Sequence, residues 1–234
     1  MSEDQIPGEG ESRPRILFVG LAESSHTISW IELLRDRGFE ARLFALPSGI
    51  PPPGWDVPTY VTARLGREPA GPSRKYLYPA RRAAQLPLRA FERWVMKKDQ
   101  YLAHRWLARV VRRWRPNLVH TFGIEPGSVF FLETLRRHDL RGLARWVVQV
   151  RGGPDLALHR LLPERQGPIR EVLGACDQVV ADNRLNYRYA AEMGCGPRKL
   201  SNLGPVPGSG GVDVRRSREC RAAPASSSRR KGMV

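Results

Sequence analysis

From Arg15 onward, short apolar runs alternate with stretches whose apolar residues recur every three or four positions. Runs of the first kind have the length of a buried strand. The second kind has the period of a helix packed on one face. Arg15-Ile-Leu-Phe-Val-Gly20 is a first strand, closed by glycine. Ile28, Ile31 and Leu34 predict a helix over 27–37, capped by Ser25 or Thr27 and stopped at Gly38. Residues 39–46 alternate as a second strand, and 57–62 form a third after the Pro- and Gly-rich stretch 47–58. Further on, strands are predicted over 117–121, 145–150 and 178–181. Helices are predicted over 125–138, with Pro126 in the first turn, over 168–175, and over 184–193, closed by Gly194. Apolar strands separated by amphipathic helices imply a parallel sheet covered on both faces, an α/β Rossmann-like doubly wound domain.

Composition sets the limits of that domain. The chain has 234 residues, 41% of them apolar and 26% charged, which suits one large globular unit. Residues 1–14 read as a disordered leader, 15–213 as the domain and 214–234 as a disordered basic tail. No run of 18 apolar residues occurs, so no spanning helix is expected. Cys176, Cys195 and Cys220 are too scattered for a disulfide framework or a zinc site, and no metal is expected. A reducing cytoplasm is the default location.

The net charge of +16 changes the picture more. It is concentrated in 64–115, with 15 basic and 3 acidic residues, and in the tail, with 7 and 1. Within the first segment, 88–115 reads as one long helix. Leu88, Phe91, Val95, Leu102, Trp106, Val110 and Trp114 recur at spacings of three and four, and basic residues crowd the rest. Such a helix suits the outer layer of an α/β domain. It also suits an anionic membrane surface touched by Arg93, Trp94, Lys97, Lys98, Arg105, Trp106 and Arg109. Nucleic acid is the weakest partner for this charge, because no recognition motif accompanies it.

Ligands of doubly wound sheets bind outside the C-terminal strand ends. At the first such end, Gly20-Leu-Ala-Glu-Ser-Ser-His26, only one glycine of a dinucleotide-binding turn is present, and the chain has no P-loop. What remains is Ser24, Ser25 and His26 at a helix N-terminus, which fits either an oxygen-rich ligand or plain helix capping. His120 lies near the next end. It is a candidate base or hydroxyl binder, or else a satisfied core histidine. In Arg151-Gly-Gly-Pro-Asp155, two glycines permit close approach of a ligand. Asp155 can accept sugar-like hydroxyls and Arg151 can hold a phosphate or carboxylate; a turn with an Asp–Arg pair is the plainer reading. Ala181-Asp182-Asn183 reads only as a helix cap.

Taken in order, these pieces resemble the N-terminal half of a family 4 glycosyltransferase of GT-B architecture. Arg15-Ile-Leu-Phe-Val-Gly20, Ser25-His-Thr27 and Glu32-Leu-Leu-Arg-Asp-Arg-Gly-Phe-Glu-Ala-Arg-Leu-Phe44 look like that family's opening strand, helix and second strand. Arg115-Pro-Asn-Leu-Val-His-Thr-Phe-Gly123 resembles its P-D-hydrophobic-H-x-H strand, with Phe122 where the second histidine usually stands. Gly153-Pro-Asp155 resembles its G-S-D turn. Cys176-Asp-Gln-Val-Val-Ala-Asp182, Gly194 and Gly211-Val-Asp213 resemble its closing segment.

The resemblance implies retaining, metal-independent transfer of a sugar from a nucleotide sugar, with the N-terminal half holding the acceptor. The acceptor-lining residues are then Gly20, Ser24, Ser25, His26, Thr27, Phe122, Gly123, Arg151, Gly152, Gly153 and Asp155, with His120 as the candidate catalytic residue. The family's donor domain, with its E-x₇-E pair, has no counterpart in the residues after Asp213. The expectation is therefore an acceptor half truncated before its donor domain, binding no cofactor itself. Its partners would be a sugar or lipid-linked acceptor and a complementing donor-domain chain, with peripheral contact at the inner membrane face. The alternative is a non-catalytic module for glycan or anionic lipid.

Overall fold

The computed structural model describes residues 13–34, 36–46, 51–52, 54–61, 75–77, 101–152 and 154–206. The strands are β1 (Arg15–Gly20), β2 (Glu40–Ala45), β3 (Thr59–Val61), β4 (Lys75–Leu77), β5 (Leu118–Phe122), β6 (Arg145–Val150) and β7 (Gln178–Ala181). The helices are α1 (Ser25–Leu33), α2 (Tyr101–Trp114), α3 (Val129–His138), α4 (Pro154–Ala157), α5 (Pro163–Ala175) and α6 (Arg184–Glu192). The strands form one sheet in the order β4-β3-β2-β1-β5-β6-β7, and every pairing is parallel.

The order explains the layers. From β1 the chain steps outward to β2 and β3; it later returns to the other side of β1 and steps outward through β5, β6 and β7. With right-handed crossovers, the two directions place their helices on opposite faces. The core divides accordingly. Ile31 of α1 packs with Ile16, Phe18, Leu43 and Ala45 on one face. On the other, Leu107 and Val111 of α2, Phe130 and Phe131 of α3, and Ile169 and Val172 of α5 pack with Leu17, Val19, Val119 and Val148. Alternate residues of one strand thus enter different cores, which is why β1 is apolar throughout. This is the Rossmann-like doubly wound architecture.

Several boundaries differ from those the pattern predicts. Helix α1 starts at Ser25, with Ser24 in the cap position and no side-chain capping bond, so neither Ser25 nor Thr27 caps it. It ends at Leu33, ahead of Asp36 and Gly38, both at positive φ. Helix α3 starts at Val129 because Glu125 is extended (φ −116°, ψ 140°) and a wide turn, Gly123–Ser128, precedes it. The Glu125–Pro126 peptide is cis. Helix α5 starts at Pro163, whose fixed φ and missing N–H suit a first turn, and continues through Pro168. Strand β4 is too short for its pattern to stand out. After α6, Gly194 (φ 93°) turns the chain back. Leu200 then bridges to Val179, and the Val206 N–H donates to the Ala181 carbonyl, extending the sheet beyond β7.

The long basic helix is seen over Tyr101–Trp114, while 88–100, with Arg93, Trp94, Lys97 and Lys98, lies outside the described residues. The leader through residue 12 and the tail from 207 lie outside them as well. Ala103, Trp106, Leu107, Val110, Val111 and Trp114 form the buried face of α2. Trp106 therefore does not stand on a membrane-facing surface. It is 6% exposed and packs edge-on against Phe44 and Tyr60, with ring centroids at 5.5 and 5.8 Å. Among the described residues no helix is long and apolar enough to cross a membrane.

Two glycines test this packing in opposite senses. A Cβ on Gly127 would sit 2.6 Å from the Phe122 carbonyl oxygen and 3.2 Å from that of Val19. Neither backbone can move without disturbing the sheet. A Cβ on Gly174, near the end of α5, would meet nothing within 4 Å. Gly127→Ala is expected to destabilise the fold by about 2 kcal/mol or more, and Gly174→Ala to stabilise it by roughly 0.5–1 kcal/mol. Urea denaturation of both variants checks the pair.

Candidate functional site

In a doubly wound sheet the place where a ligand is expected is the gap between the two strands whose connections diverge, here β1 and β5. Strands β1 and β5 are neighbours, but their connections run in opposite directions, so the loops at their C-terminal ends diverge. The residues that follow the strand ends at that gap are Gly20 and the loop before α1, the turn after Phe122, and the turn after β6.

The β5 and β6 turns are fastened by carboxylates. Asp155 Oδ1 accepts the N–H of Ile124 at 2.7 Å and of Glu125 at 3.4 Å, and Oδ2 accepts that of Arg151 at 3.3 Å. Burial pushes the pKa of this carboxyl up, while those N–H groups and the Arg151 charge pull it down. Asp182, at the end of β7, holds the next turn. It accepts the Gly152 N–H and, through Oδ1, the side-chain amides of Asn183 and Asn186, each at 2.8 Å. Asn183 is the residue that caps α6, by accepting the Asn186 N–H. A Cβ on Gly152 would lie 2.9 Å from Asp182 Oδ2, so the close approach of carboxylate to backbone requires glycine there. Below the turn, Trp146 Nε1 donates to Thr121 Oγ1, which shares a 2.7 Å hydrogen bond with Ser128 Oγ; Ser128 Oγ donates to the Gly123 carbonyl. Glu125 is paired with Arg165 of α5.

These clamps place Arg151. Its guanidinium carbon lies 6.0 Å from the centroid of the Phe122 ring, and a Cβ on Gly123 would be 3.5 Å from its Nη2. Gly123 adopts φ 76°, which disfavours a side chain there even though a Cβ would make only ordinary contacts. Burial holds the Arg151 guanidinium below the usual arginine value, although Asp155 and Asp182 favour its charge. Among the described residues no acceptor meets the guanidinium donors, since both carboxylates are taken by other N–H groups.

On the β1 side, Ser24 is half-buried and Ser25 and His26 are exposed at the first turn of α1, whose leading N–H groups have no helical carbonyl to bond. Thr27 faces inward. Its Oγ1 is fully buried without a hydrogen-bond partner and lies beside Gly20, where a Cβ would be 3.3 Å from it and 2.9 Å from Phe122 Cδ2. Gly20 is thus required for packing of the crevice floor.

Three expected site residues are placed differently. His120 is 6% exposed and sits in mid-strand under the crevice, enclosed by Phe18, Trp30 and Phe122 with ring centroids 5.1–5.3 Å away. Its Nε2 lies 3.2 Å from Gln149 Oε1, and burial lowers its pKa to about 4. A neutral imidazole closed off from solvent is not a catalytic base, so His120 supports the floor. Phe122, 1% exposed, likewise forms the floor and does not line the opening. Asp155 is engaged by three backbone N–H groups and acts as a clamp. Gly153 lies outside the described residues. Asp182 and the Glu125–Arg165 pair are members that sequence reasoning missed. Asp182 follows a strand end directly, and that position was the available signal.

No protein-family profile matches the chain, and no curated protein does. Among solved structures it is similar to a UDP-GlcNAc 2-epimerase from Neisseria meningitidis bound to UDP-GlcNAc, at 10% identity and a TM-score of 0.48, over 80% of this chain and 45% of that one. A second UDP-N-acetylglucosamine 2-epimerase aligns at 11% identity and a TM-score of 0.44, over 81% and 47%. The chain spans less than half the length of either protein. The fold assignment rests on the strand order described above.

The state of His120 has a consequence for pH. Its folded value, about 4, is below the unfolded value near 6.5, so between those limits the unfolded chain binds the extra proton. Stability is expected to fall as pH drops through this window, by about 1.4 kcal/mol per unit from this group. Urea midpoints from pH 7 to 5 measure the loss, and the imidazole NMR signals locate the titration. A ring titrating near 6.5 would mean that His120 is solvated.

Proposed function

We propose that this domain is the acceptor-binding half of a retaining, nucleotide-sugar-dependent glycosyltransferase resembling family 4. The observation that carries the reading is the Arg151–Asp155 turn. Asp155 ties it to the turn after β5, so that Arg151 lies over Phe122 at the switch point, where a doubly wound domain receives its ligand. The half-buried Ser24 and exposed Ser25 and His26, which follow the neighbouring strand end, suit the opposite side of such a site.

In such a reaction the bond from the sugar's C1 to the nucleotide breaks, and an acceptor hydroxyl takes its place with retained configuration. The nucleotide sugar is engaged mainly by the partner domain of such enzymes, and this chain supplies acceptor orientation. Gly123 and Gly152 let the acceptor approach the backbone, and the two carboxylate clamps keep the turns rigid, so that a bound hydroxyl is held at one position.

The test is a ¹⁵N–¹H NMR screen of the full chain against mono- and disaccharides and against uridine and guanosine diphosphates. Sugars are expected to shift the amides of 21–27, 123–125 and 152. Shifts there from the nucleotides alone, with none from any sugar, would reverse the assignment from acceptor to donor side.

A second reading, contact with an anionic membrane surface, is favoured by the outer side of α2. Arg105, Arg109, Arg112 and Arg113 line a groove of about 680 Å³ with Ala108 and His138, and no carboxylate is among these residues. Binding there predicts flotation with liposomes containing anionic lipid, decreasing as salt rises. Equal flotation with neutral liposomes would dismiss it.

A further inference from the structure

Arg151 is half-buried, and its guanidinium nitrogens are not among the buried side-chain atoms that lack a partner, so its donors are open to water or a ligand. Partial burial still raises the cost of its charge. Here the neighbouring carboxylates supply charge but little hydrogen bonding. Asp155 already accepts three backbone N–H groups, and Asp182 accepts one backbone N–H and two side-chain amides. Burial still outweighs their attraction at Arg151. The guanidinium carries five N–H donors in a rigid fork that matches a phosphate or carboxylate. It sits beside Gly123, which has no side chain to cover it, and next to the exposed Gly152.

A neutral sugar hydroxyl would engage one donor of the half-buried guanidinium and leave the rest of the fork to water. An oxyanion satisfies two donors and the charge together. The repulsion it meets from Asp155 and Asp182 is reduced because each carboxylate is held by three N–H bonds of its own. Resting on the acceptor-side reading above, we propose that the molecule taken by this crevice is an anionic sugar derivative whose phosphate or carboxylate is bound by the Arg151 guanidinium.

The experiment follows the amides of Gly123 and Gly152 in the full chain at constant ionic strength. The probes are glucose 6-phosphate, glucuronate, inorganic phosphate and glucose. The variants are Arg151→Gln, with Arg170→Gln on the surface of α5 as a control. Glucose 6-phosphate or glucuronate is expected to shift both amides saturably, and whichever acts identifies the oxyanion. Arg151→Gln is expected to weaken that binding at least about ten-fold, and Arg170→Gln to leave it unchanged. The Arg151 side chain makes no hydrogen bond among the described residues and favours the Asp155 carboxylate only through its charge, so Arg151→Gln is expected to keep the folded amide spectrum with a small fall in Tm at most, which separates lost binding from lost folding.

Equal shifts from glucose and glucose 6-phosphate would overturn the anionic assignment and leave the acceptor reading standing. Undiminished binding by Arg151→Gln, or phosphate shifts confined to 105–113, would overturn it as well. If inorganic phosphate alone binds, at Gly123 and Gly152, and no sugar does, the oxyanion seat stands while the sugar part of the proposal and the acceptor reading fall together.

Discussion

The Asp155 carboxylate carries the bracing between β5 and β6 past the end of their ladder. The Ile124 N–H belongs to the turn after β5, the Arg151 N–H to the end of β6, and Asp155 itself to α4. Each segment has irregular backbone whose N–H groups need acceptors, and one carboxylate provides them at once. Asp182 repeats the arrangement one strand further out, through the Gly152 N–H and the side-chain amide of Asn186 in the first turn of α6. The strand ends are thereby braced sideways by a pair of side chains.

The packing beneath those strand ends is aromatic. Phe18 and Phe122 stack at 5.5 Å, His120 fills the space beside them, and Trp30 of α1 closes the far side. Burial of these rings is favourable in itself, and it leaves no room above them: a larger residue at Gly20 or Gly127 would collide with the rings or the backbone. The small residues at the strand ends and the large ones beneath them are one packing solution. The cost falls on polar groups trapped in it, such as Thr27 Oγ1 and Gln149 Nε2, which find no partner.

Helix α2 shows how one sequence feature can have two physical uses. Its tryptophans and aliphatics face the sheet, where Trp114 also donates to Glu40 and receives Arg42 over its ring at 4.5 Å. Its arginines occupy the outer side, and Arg112 bonds the last carbonyl of α3. The inner face explains why the helix forms. The outer face is left to carry charge, and four arginines gather there along one groove.

Much of the architecture was legible in the chain itself. Apolar runs of strand length and helical periods of three and four specify the alternation, because burial on both sheet faces demands that pattern. The turn residues at 151–155 were recognisable as a place of close backbone approach, since glycines and a carboxylate after a strand have few other uses. What pattern cannot convey is which side chains meet. His120 reads as a candidate base in one dimension and is a sealed core residue in three, because Trp30, 90 positions earlier, covers it. Asp182 reads as a local cap and instead binds Gly152, 30 positions away. Local propensity acts over a few residues, whereas burial and hydrogen-bond satisfaction are decided between segments brought together by the sheet. The alternation of strands and helices was therefore determined by the sequence alone, whereas several helix starts, β4 and the surroundings of the Arg151 guanidinium were decided by the tertiary structure.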